Sequence, residues 1–398
     1  MAVRVLRASW VVPVCGPPLA DGLVAVADGR IAWLGGRYSP GRPDGPLTDL
    51  GNGILAPGLV NAHCHLELSH LAGRLPRAGG FVPWVEALVA ARLYDEPGVV
   101  RERAREAIGA AQEAGTVAVG DVSNTLVPLD LLRDSRLRAV VFYELLGWDP
   151  GRCAAVLQAA EERLAGVVGG LDGRVRVRLA AHAPHSVSPP LLMALRRRGG
   201  PASIHLAESE AETDFLGTGG GEWAGFLARR GLAGVPYRPA GLTPVRYLES
   251  LGVLHPGLVA AHCVHVDGED RAILARRGVH VALCPRSNRN LGVGLPPLPD
   301  LLADGVRLCL GTDSVASGDS LDLLQDAALL HRAYPRVEPA LLVRLATAGG
   351  AEALGLPDLG TLAPGQAAEM AFAPAAAGLA DPCAFLVSGE ARLQRLAA

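Results

Sequence analysis

The sequence predicts an α/β fold in which eight parallel strands and their crossover helices form a (β/α)8 TIM barrel. Short runs rich in Val, Ile and Leu alternate with Ala-, Leu- and Arg-rich stretches of helical period. Eight such runs can be counted, and eight strands with crossovers favour a closed barrel over an open sheet. At 398 residues, the chain is long enough for one large barrel with an appendage, or for two ordinary domains.

The predicted barrel elements follow one another along most of the chain. The strands are Ile54–Ala62, Thr116–Asp121, Leu137–Glu144, Val175–Ala183, Ala202–Glu208, Leu258–His262, Val279–Cys284 and Val306–Thr312. Helices between them include Val99–Ala114, Arg152–Val167, Pro189–Arg198, Glu269–Arg277 and Leu321–His331. In a barrel of this kind, the carboxyl ends of the strands form the active face.

The two ends of the chain have a different pattern. Short strands at Ala2–Ala8, Gly22–Ala27 and Arg30–Leu34 are separated by Gly, Pro and Asp turns, with no long helix. Near the carboxyl end, a Pro-Gly turn precedes a strand at Glu369–Ala373, which can return to complete the same small β unit. We therefore predict a small domain at residues 1–53 plus 356–398 and a barrel domain at 54–355.

Composition favours a small-molecule partner. The net charge of -3 provides no basic field for nucleic acid or an anionic membrane. No apolar run is long enough to span a bilayer, and Arg, Trp and Pro interrupt the first residues where a signal peptide would be apolar. A cytoplasmic location is therefore expected, and a homodimer is a reasonable expectation for the assembly.

Cysteine and lysine usage excludes several kinds of site. The seven cysteines are scattered, odd in number and form no CxxC pair, so neither a disulfide framework nor a cysteine zinc site is indicated. The sequence contains no lysine, and its 37 basic residues are all arginine. Schiff-base chemistry and a carboxylated-lysine bridge between two metals are thereby excluded.

Potential metal ligands occur at the ends of four predicted strands. His63 and His65 follow the first, His205 lies on the fifth, His262 ends the sixth and Asp313 follows the eighth. Residues two apart in an extended segment point to the same side, so His63 and His65 can bind one ion. Imidazoles with one carboxylate suit Zn(II) or Fe(II) better than Mg(II) or Ca(II). The pattern predicts one divalent metal ion.

Any one of these histidines alone would be interpreted as an ordinary buried side chain, but their joint placement favours a metal site. The other histidines have weaker cases. His182 is interpreted as core or as lying next to the site, and His265, which lies past its strand end, is a weaker candidate than His262. An ordinary structural role is favoured for His70, His255, His280 and His331.

Several motifs resemble the amidohydrolase superfamily, in particular its branch of deaminases and chlorohydrolases. They are PGLVNAHCHLELS at 57–69, APHSVSP at 183–189, HLAESEAE at 205–212, AHCVHVD at 261–267, CPRSN at 284–288 and GTDS at 311–314. The closing GTLAPGQAAEM is similar to the family's return to a β-sandwich domain, with Glu369 where Asp is usual. The resemblance therefore implies a TIM barrel with a small β-sandwich domain built from both termini.

The resemblance also implies roles for individual residues. His63, His65, His205 and Asp313 would bind a single metal, because the fourth strand carries neither the lysine nor the glutamate that bridges two metals in other members. Metal-bound hydroxide would attack the amino-bearing ring carbon, with Asp313 taking the proton of the attacking water. Glu208 would protonate the neighbouring ring nitrogen, and His262 would orient the hydroxide. From its spacing alone, Glu208 could equally be a solvated glutamate at a helix start.

A finer resemblance is to the aminodeoxyfutalosine deaminases of menaquinone biosynthesis, through NAHCHLELS and FVPWVEALVAARL at 81–93. It implies an adenine-type nucleoside substrate with a carboxyphenyl tail. His185 would contact the substrate, and Phe81 and Trp84 would pack on its aromatic parts or serve in helix packing. Arg286 or, less favoured, Arg74 could bind the carboxylate. Asn288 and Ser314 would line the pocket.

Other functions share the same motifs. Methylthioadenosine or adenosylhomocysteine deamination, guanine deamination and triazine chlorohydrolysis would all use this metal site. A catalytically silent metal-binding module is an alternative of another class, against which the intact Glu208, His262 and Asp313 argue. A two-metal peptidase or lactamase is disfavoured by the missing bridge on the fourth strand.

Overall fold

A computed structural model describes residues 3–76, 79–169, 171–232 and 241–396. Its strands are β1 Val3–Val11, β2 Leu19–Ala27, β3 Arg30–Gly36, β4 Leu47–Asp49, β5 Gly53–Pro57, β6 Leu59–Cys64, β7 Thr116–Ser123, β8 Arg138–Leu145, β9 Val175–Ala181, β10 Ala202–Leu206, β11 Leu258–His262, β12 His280–Leu283, β13 Arg307–Leu310, β14 Met370–Pro374 and β15 Gln394–Arg395. The predicted α/β fold with parallel sheets is confirmed.

Eight parallel strands form two four-stranded sheets, in the orders β6-β7-β8-β9 and β10-β11-β12-β13. Hydrogen bonds also connect the sheets at both edges. His205 N donates to His182 O at 2.8 Å, which joins β10 to the end of β9, and Asp313 N donates to His63 O at 3.1 Å, which joins the end of β13 to β6. The carboxyl end of β10 therefore lies close to that of β9, and the carboxyl end of β6 lies close to that of β13.

The predicted strand Ile54–Ala62 is wrong as a single element. Pro57 and Gly58 divide this apolar run into β5, which belongs to the terminal sheet, and β6, which belongs to a parallel sheet. A side chain at Gly58 would collide with Val117 on the neighbouring β7. The change of sheet therefore needs glycine at this point.

Both termini contribute to one mixed seven-stranded sheet, in which β15-β14-β5-β1-β2-β3 are neighbours and β4 pairs with β1. The predicted return of the carboxyl-terminal strand is confirmed, because β14 pairs antiparallel with β5. The first predicted strand extends further than expected, to Val11, and its Ala2 lies outside the described residues. The β-sandwich and the domain boundaries stay predictions.

Helices connect and cover the parallel strands. They are α1 Phe81–Arg92, α2 Pro97–Glu113, α3 Leu129–Asp134, α4 Cys153–Val168, α5 Pro189–Arg197, α6 Glu210–Thr218, α7 Gly221–Arg229, α8 Pro244–Ser250, α9 Gly268–Arg277, α10 Pro285–Leu291, α11 Leu298–Ala303, α12 Leu323–Ala333, α13 Pro339–Arg344, α14 Gly350–Ala353 and α15 Pro382–Leu386. Short 3-10 helices span Leu66–Leu71 and Pro150–Arg152, and a π-helical turn spans Leu345–Gly349. All five predicted helices are present with shifted ends. For example, α12 begins at Leu323 because the Asp322 side chain accepts from Leu324 N and caps the helix.

The core lies between these helices and the parallel strands. All residues of β6, β7, β11 and β12 are buried, which explains why apolar residues on both faces dominate these strands in the sequence. Across the described ranges, no helix combines the length and the apolar character that crossing a membrane requires. The cytoplasmic location and the homodimer stay predictions.

Candidate metal centre and active site

The strand ends bring together four of the predicted ligands. Nitrogen or carboxylate atoms of His63, His65, His205 and Asp313 all lie within 4.8 Å of one another. His65 Nε2 lies 3.2 Å from His205 Nε2 and 3.3 Å from Asp313 Oδ1, and His63 Nε2 lies 3.8 Å from the same carboxylate oxygen. All four residues are buried. The arrangement is a compact set of three nitrogen donors and one oxygen donor.

These residues fit a divalent metal ion. His63 is completely buried, and neither of its ring nitrogens has a hydrogen-bond partner among the described residues. Leaving buried polar groups unpaired is costly, so a ligand for them is expected. Burial lowers the pKa of His63, His65 and His205, which keeps the imidazoles in the neutral form that metals bind. The donor set suits Zn(II) or Fe(II).

Two serines that the sequence did not reveal hold the Asp313 carboxylate. Ser287 Oγ and Ser317 Oγ donate to Asp313 Oδ2 at 2.6 and 2.8 Å, which leaves Oδ1 facing the histidines. Burial alone would raise the pKa of Asp313, but its electrostatic interactions with the neighbouring imidazoles, above all that of His65, and the hydrogen bond from Ser287 outweigh burial and lower it. The carboxylate is therefore ionised and oriented.

Glu208 and His262 lie beside the four ligands. Atoms of Glu208, His262 and Asp313 form a second group within 4.8 Å, and His262 Nε2 lies 3.6 Å from Glu208 Oε1. His262 Nδ1 contacts Asn288 Oδ1 at 3.2 Å, which fixes the ring and leaves Nε2 toward the site. Burial raises the pKa of Glu208 to about 7. Glu208 can therefore carry a proton near neutral pH.

The backbone is strained where these side chains enter the site. Ala207, His262 and Asp313 have φ values of 49°, 74° and 57°, in the left-handed region that residues with a side chain rarely adopt. Hydrogen bonds hold these turns, for example from Val264 N and His265 N to Ala207 O. Such strain is concentrated at functional sites, where the surrounding structure over-determines it.

A cavity of about 230 Å³ opens over the ligands, and its lining is mostly apolar. Phe81, Trp84 and Ser314 line it, as predicted, and so does Trp223, which no sequence pattern indicated. His65, His205, Glu208 and Asp313 line the same space, so a bound molecule would contact the proposed ligands and acid directly. Such a cavity, apolar with a few converging polar groups, suits a planar organic substrate.

His185, a predicted substrate contact, is not among the residues that line this cavity and lines a second, outer pocket instead. Its ring packs edge-on against Phe81 and Trp223, and its Nδ1 lies 3.7 Å from Glu212 Oε1. The outer pocket is lined by Leu146, Trp148, Arg152, His185, Arg230 and their neighbours, and it shares Val89, Leu146 and Phe226 with the cavity. The two spaces therefore adjoin each other.

Three further residues that the sequence suggested as substrate contacts lie outside the cavity lining. Asn288 is buried behind His262 and is not in the cavity lining. Arg286 is also outside the lining, in a buried ion pair with Asp326 at 2.7 Å, and it donates to Ser320 Oγ and to two backbone carbonyls. With these partners, Arg286 stabilises the packing of α10 against α12. Arg74, the weaker candidate, is likewise not among the residues that line the cavity.

Replacing Arg286 by methionine is expected to destabilise the protein by about 3–5 kcal/mol, because Asp326 would remain buried without its partner. Urea denaturation of metal-loaded protein measures the change. The double variant Arg286→Met/Asp326→Leu is the control and should recover part of the loss. A rise in KM with unchanged stability would contradict this role and return Arg286 to substrate binding.

Three further cavity residues were not singled out from the sequence: Arg92, Asn124 and Glu144. His182, interpreted from the sequence as core or as lying next to the site, also lines the cavity. Glu144 Oε1 lies 3.4 Å from His205 Nδ1, and His182 O lies 3.1 Å from the same nitrogen. Burial raises the pKa of Glu144 to about 8. The position of Glu144 at the end of the third predicted strand could have marked it as a candidate.

Comparison with known proteins gives consistent matches. Residues 54–385 match the model of the amidohydrolase family. The 5-methylthioadenosine/S-adenosylhomocysteine deaminase of Pelotomaculum thermopropionicum is 32% identical over 394 residues, covering 93% of this chain and 84% of that protein. The aminodeoxyfutalosine deaminase of Deinococcus radiodurans is 34% identical over 321 residues, covering 76% and 73%. The crystal structure of a Xanthomonas campestris adenosine deaminase with bound zinc superposes with a TM-score of 0.80 at 24% identity, covering 98% and 90% of the two chains.

Proposed function

This chain belongs to the amidohydrolase family and is a hydrolase of C–N bonds, and we propose that it removes ammonia from the adenine ring of a nucleoside. The observation that carries the proposal is the buried pair of Glu208 and His262 beside the four candidate metal ligands. A protonatable carboxyl group next to a metal centre is what addition of water to an aromatic C–NH2 carbon requires, since charge develops on the neighbouring ring nitrogen.

His63, His65, His205 and Asp313 would hold one divalent ion, which we propose to be zinc, with iron as the alternative. The zinc bound by the X. campestris relative supports this assignment. When bound, such an ion lowers the pKa of a coordinated water and supplies a nucleophile near neutral pH. The remaining chemistry belongs to the side chains of this chain.

Each side chain has one task in the proposed reaction. Asp313, ionised and held by two serines, accepts the proton of the attacking water at Oδ1. His262 Nε2, buried and without a hydrogen-bond partner among the described residues, orients that water. Glu208 donates its proton to the ring nitrogen next to the attacked carbon. Proton transfer by a positioned group typically contributes about 10²- to 10⁴-fold in rate.

We propose 6-amino-6-deoxyfutalosine, an intermediate of menaquinone biosynthesis, as the substrate. The outer pocket supports this choice because Arg152 and Arg230 lie on its exposed rim and form no ion pair with any described residue. Guanidinium groups suit a carboxylate, and Trp148 in the same lining suits an aromatic ring. A nucleoside with an uncharged methylthio tail would leave these arginines unused.

Replacing Arg230 by glutamine is expected to lower kcat/KM for aminodeoxyfutalosine about tenfold and to leave kcat/KM for 5′-methylthioadenosine unchanged. Only aminodeoxyfutalosine has a carboxylate that would lose its interaction with the guanidinium group. Steady-state ammonia release on both substrates measures the effect. Arg229→Gln is a matched control, since Arg229 pairs with Glu86 instead of lining the pocket. Equal losses on both substrates would contradict the carboxylate assignment.

Deamination of methylthioadenosine or adenosylhomocysteine is the second candidate, and the P. thermopropionicum relative supports it over most of the chain. Adenosylhomocysteine also has a carboxylate, so the arginines alone do not separate it from aminodeoxyfutalosine. Its amino acid tail is aliphatic and carries an ammonium group. Relative kcat/KM values on the three nucleosides decide between these substrates.

We also infer that the eight parallel strands close into a barrel. Hydrogen bonds between the ends of β9 and β10 and between β6 and the residues after β13 support this closure. Solved relatives with similar folds over nearly the whole chain support it too. In such a barrel the four ligands lie on the active face, as in other enzymes of this architecture.

A further inference from the structure

Three polar side chains in the cavity lining have no part in the proposed reaction. Arg92, Asn124 and Glu144, here termed the polar wall, are joined by hydrogen bonds. Arg92 Nη1 donates to Asn124 Oδ1 at 3.0 Å, and Asn124 Nδ2 donates to Glu144 Oε2 at 2.9 Å. These contacts fix the amide of Asn124 between the guanidinium group of Arg92 and the carboxyl group of Glu144, and all three side chains line the cavity.

The polar wall is held rigidly from behind by Glu67, which is 3% exposed. Glu67 accepts hydrogen bonds from Ser123 Oγ at 2.5 Å, Asn124 N at 2.9 Å and Thr125 N at 3.0 Å, and it pairs with Arg92 Nη2 at 3.3 Å. Both the loop after β7 and the end of α1 are thereby fixed to one buried carboxylate. Arg92 and Asn124 are positioned before any ligand arrives.

Glu144 keeps one oxygen available to a ligand. Its Oε2 is used by Asn124, whereas Oε1 accepts no hydrogen bond from a described residue and lies 3.4 Å from His205 Nδ1. That nitrogen has a nearer partner in His182 O, at 3.1 Å. Because one N–H donates fully to only one acceptor at a time, His205 does not satisfy the carboxyl group of Glu144.

Adjacent donor and acceptor groups select the chemistry of the ligand. An ionised carboxylate or phosphate placed on the wall could accept from Arg92 but has no proton to donate to Glu144 Oε1, and an apolar group would leave buried polar atoms unpaired. Hydroxyl groups both donate and accept, so a pair of them matches Glu144 and Arg92 together. Carboxylates recognise ribose hydroxyls in the same way in dinucleotide-binding folds.

We propose that the polar wall binds the sugar hydroxyls of the nucleoside, with Glu144 accepting from one hydroxyl and Arg92 donating to the other. This inference rests on the proposed deamination of a nucleoside, and it makes Glu144 and Arg92 specificity-determining residues for ribose over deoxyribose.

The test compares adenosine, 2′-deoxyadenosine and 3′-deoxyadenosine. The wild type is expected to prefer adenosine over at least one deoxynucleoside by about 10- to 100-fold in kcat/KM, the cost of leaving one buried polar group without its hydrogen bond. Glu144→Leu should lower kcat/KM on adenosine by that factor and bring the ratio close to one, whereas Glu144→Gln, which keeps an acceptor oxygen, should restore part of it. The exposed Glu161→Gln on α4 is the control.

Metal content and binding separate this inference from its rivals. If Glu144→Leu loses metal or slows all three nucleosides equally, Glu144 supports His205 instead and the inference is overturned. Calorimetric binding of the three nucleosides to the metal-loaded Glu208→Gln variant needs no turnover. If this variant binds adenosine more tightly than the deoxynucleosides, and the additional Glu144→Leu substitution removes the difference, the polar wall binds the sugar hydroxyls even if deamination fails. Turnover or binding without any ribose preference overturns the assignment of the polar wall to the sugar hydroxyls and leaves deamination standing. Absence of binding by all three nucleosides also overturns that assignment, whereas deamination is tested with the tailed nucleosides.

Discussion

Glu208→Gln is expected to lower kcat on the preferred nucleoside by about two to four orders of magnitude while the protein keeps its full metal content. Glutamine retains the size of the side chain but has no proton to give to the ring nitrogen. It also leaves the set of His63, His65, His205 and Asp313 intact. Ammonia release and elemental analysis on the same sample measure both parts. Glu210→Gln, two residues further along on an exposed position, is the control.

The pH profile gives a second measurement for the same residue. Burial raises the pKa of Glu208 to about 7, and a general acid works in its protonated form. Activity that depends on Glu208 is therefore present below that pKa and is lost as the pH rises through it. We expect a descending limb in kcat/KM for the wild type and its disappearance in Glu208→Gln. An active Glu208→Gln enzyme with the wild-type profile would contradict the proton-transfer role.

His63→Ala is expected to abolish both metal binding and activity. His63 is completely buried, and its two ring nitrogens have no hydrogen-bond partner among the described residues, so its placement is explained by a metal and not by the surrounding packing. Three donors would remain, with a void in place of the fourth. Elemental analysis after dialysis against a chelator measures the metal.

Two further variants make this result interpretable. Asp313→Asn keeps the shape of the side chain but removes its negative charge, so it should lose metal affinity without the packing defect of His63→Ala. His331→Gln lies outside the four-ligand group and should behave as wild type. A His63→Ala protein that retains a full equivalent of metal would contradict the assignment of this residue as a ligand.

The sequence predicted the parallel core well because its strands are buried on both faces and are therefore continuous apolar runs. It failed at Ile54–Ala62 for the same reason. Two buried strands in different sheets follow each other there, and hydrophobicity does not distinguish them. Only Pro57 and Gly58 mark the change of sheet, and a single Pro-Gly pair is a weak signal within an apolar run.

The candidate ligands could be predicted because the end of a strand is a local feature of the sequence. His63, His65 and Asp313 directly follow the predicted first and eighth strands. Glu144, Asn124 and Arg92 act through contacts 20 to 32 residues apart in the sequence, which no local pattern reveals. Arg286 illustrates the opposite difficulty. Its partner Asp326 lies 40 residues further along, and nothing in the sequence separates this buried arginine from the other 36.

The most direct test of the proposed function is ammonia release, followed with the ultraviolet shift from adenine to hypoxanthine, by the purified metal-loaded protein. The panel is aminodeoxyfutalosine, methylthioadenosine, adenosylhomocysteine, adenosine and guanine, each repeated after chelation. We predict metal-dependent turnover with a preference for aminodeoxyfutalosine. Absence of activity on every aminopurine, with metal bound, would contradict nucleoside deamination and direct the search to triazines and cyclic amides.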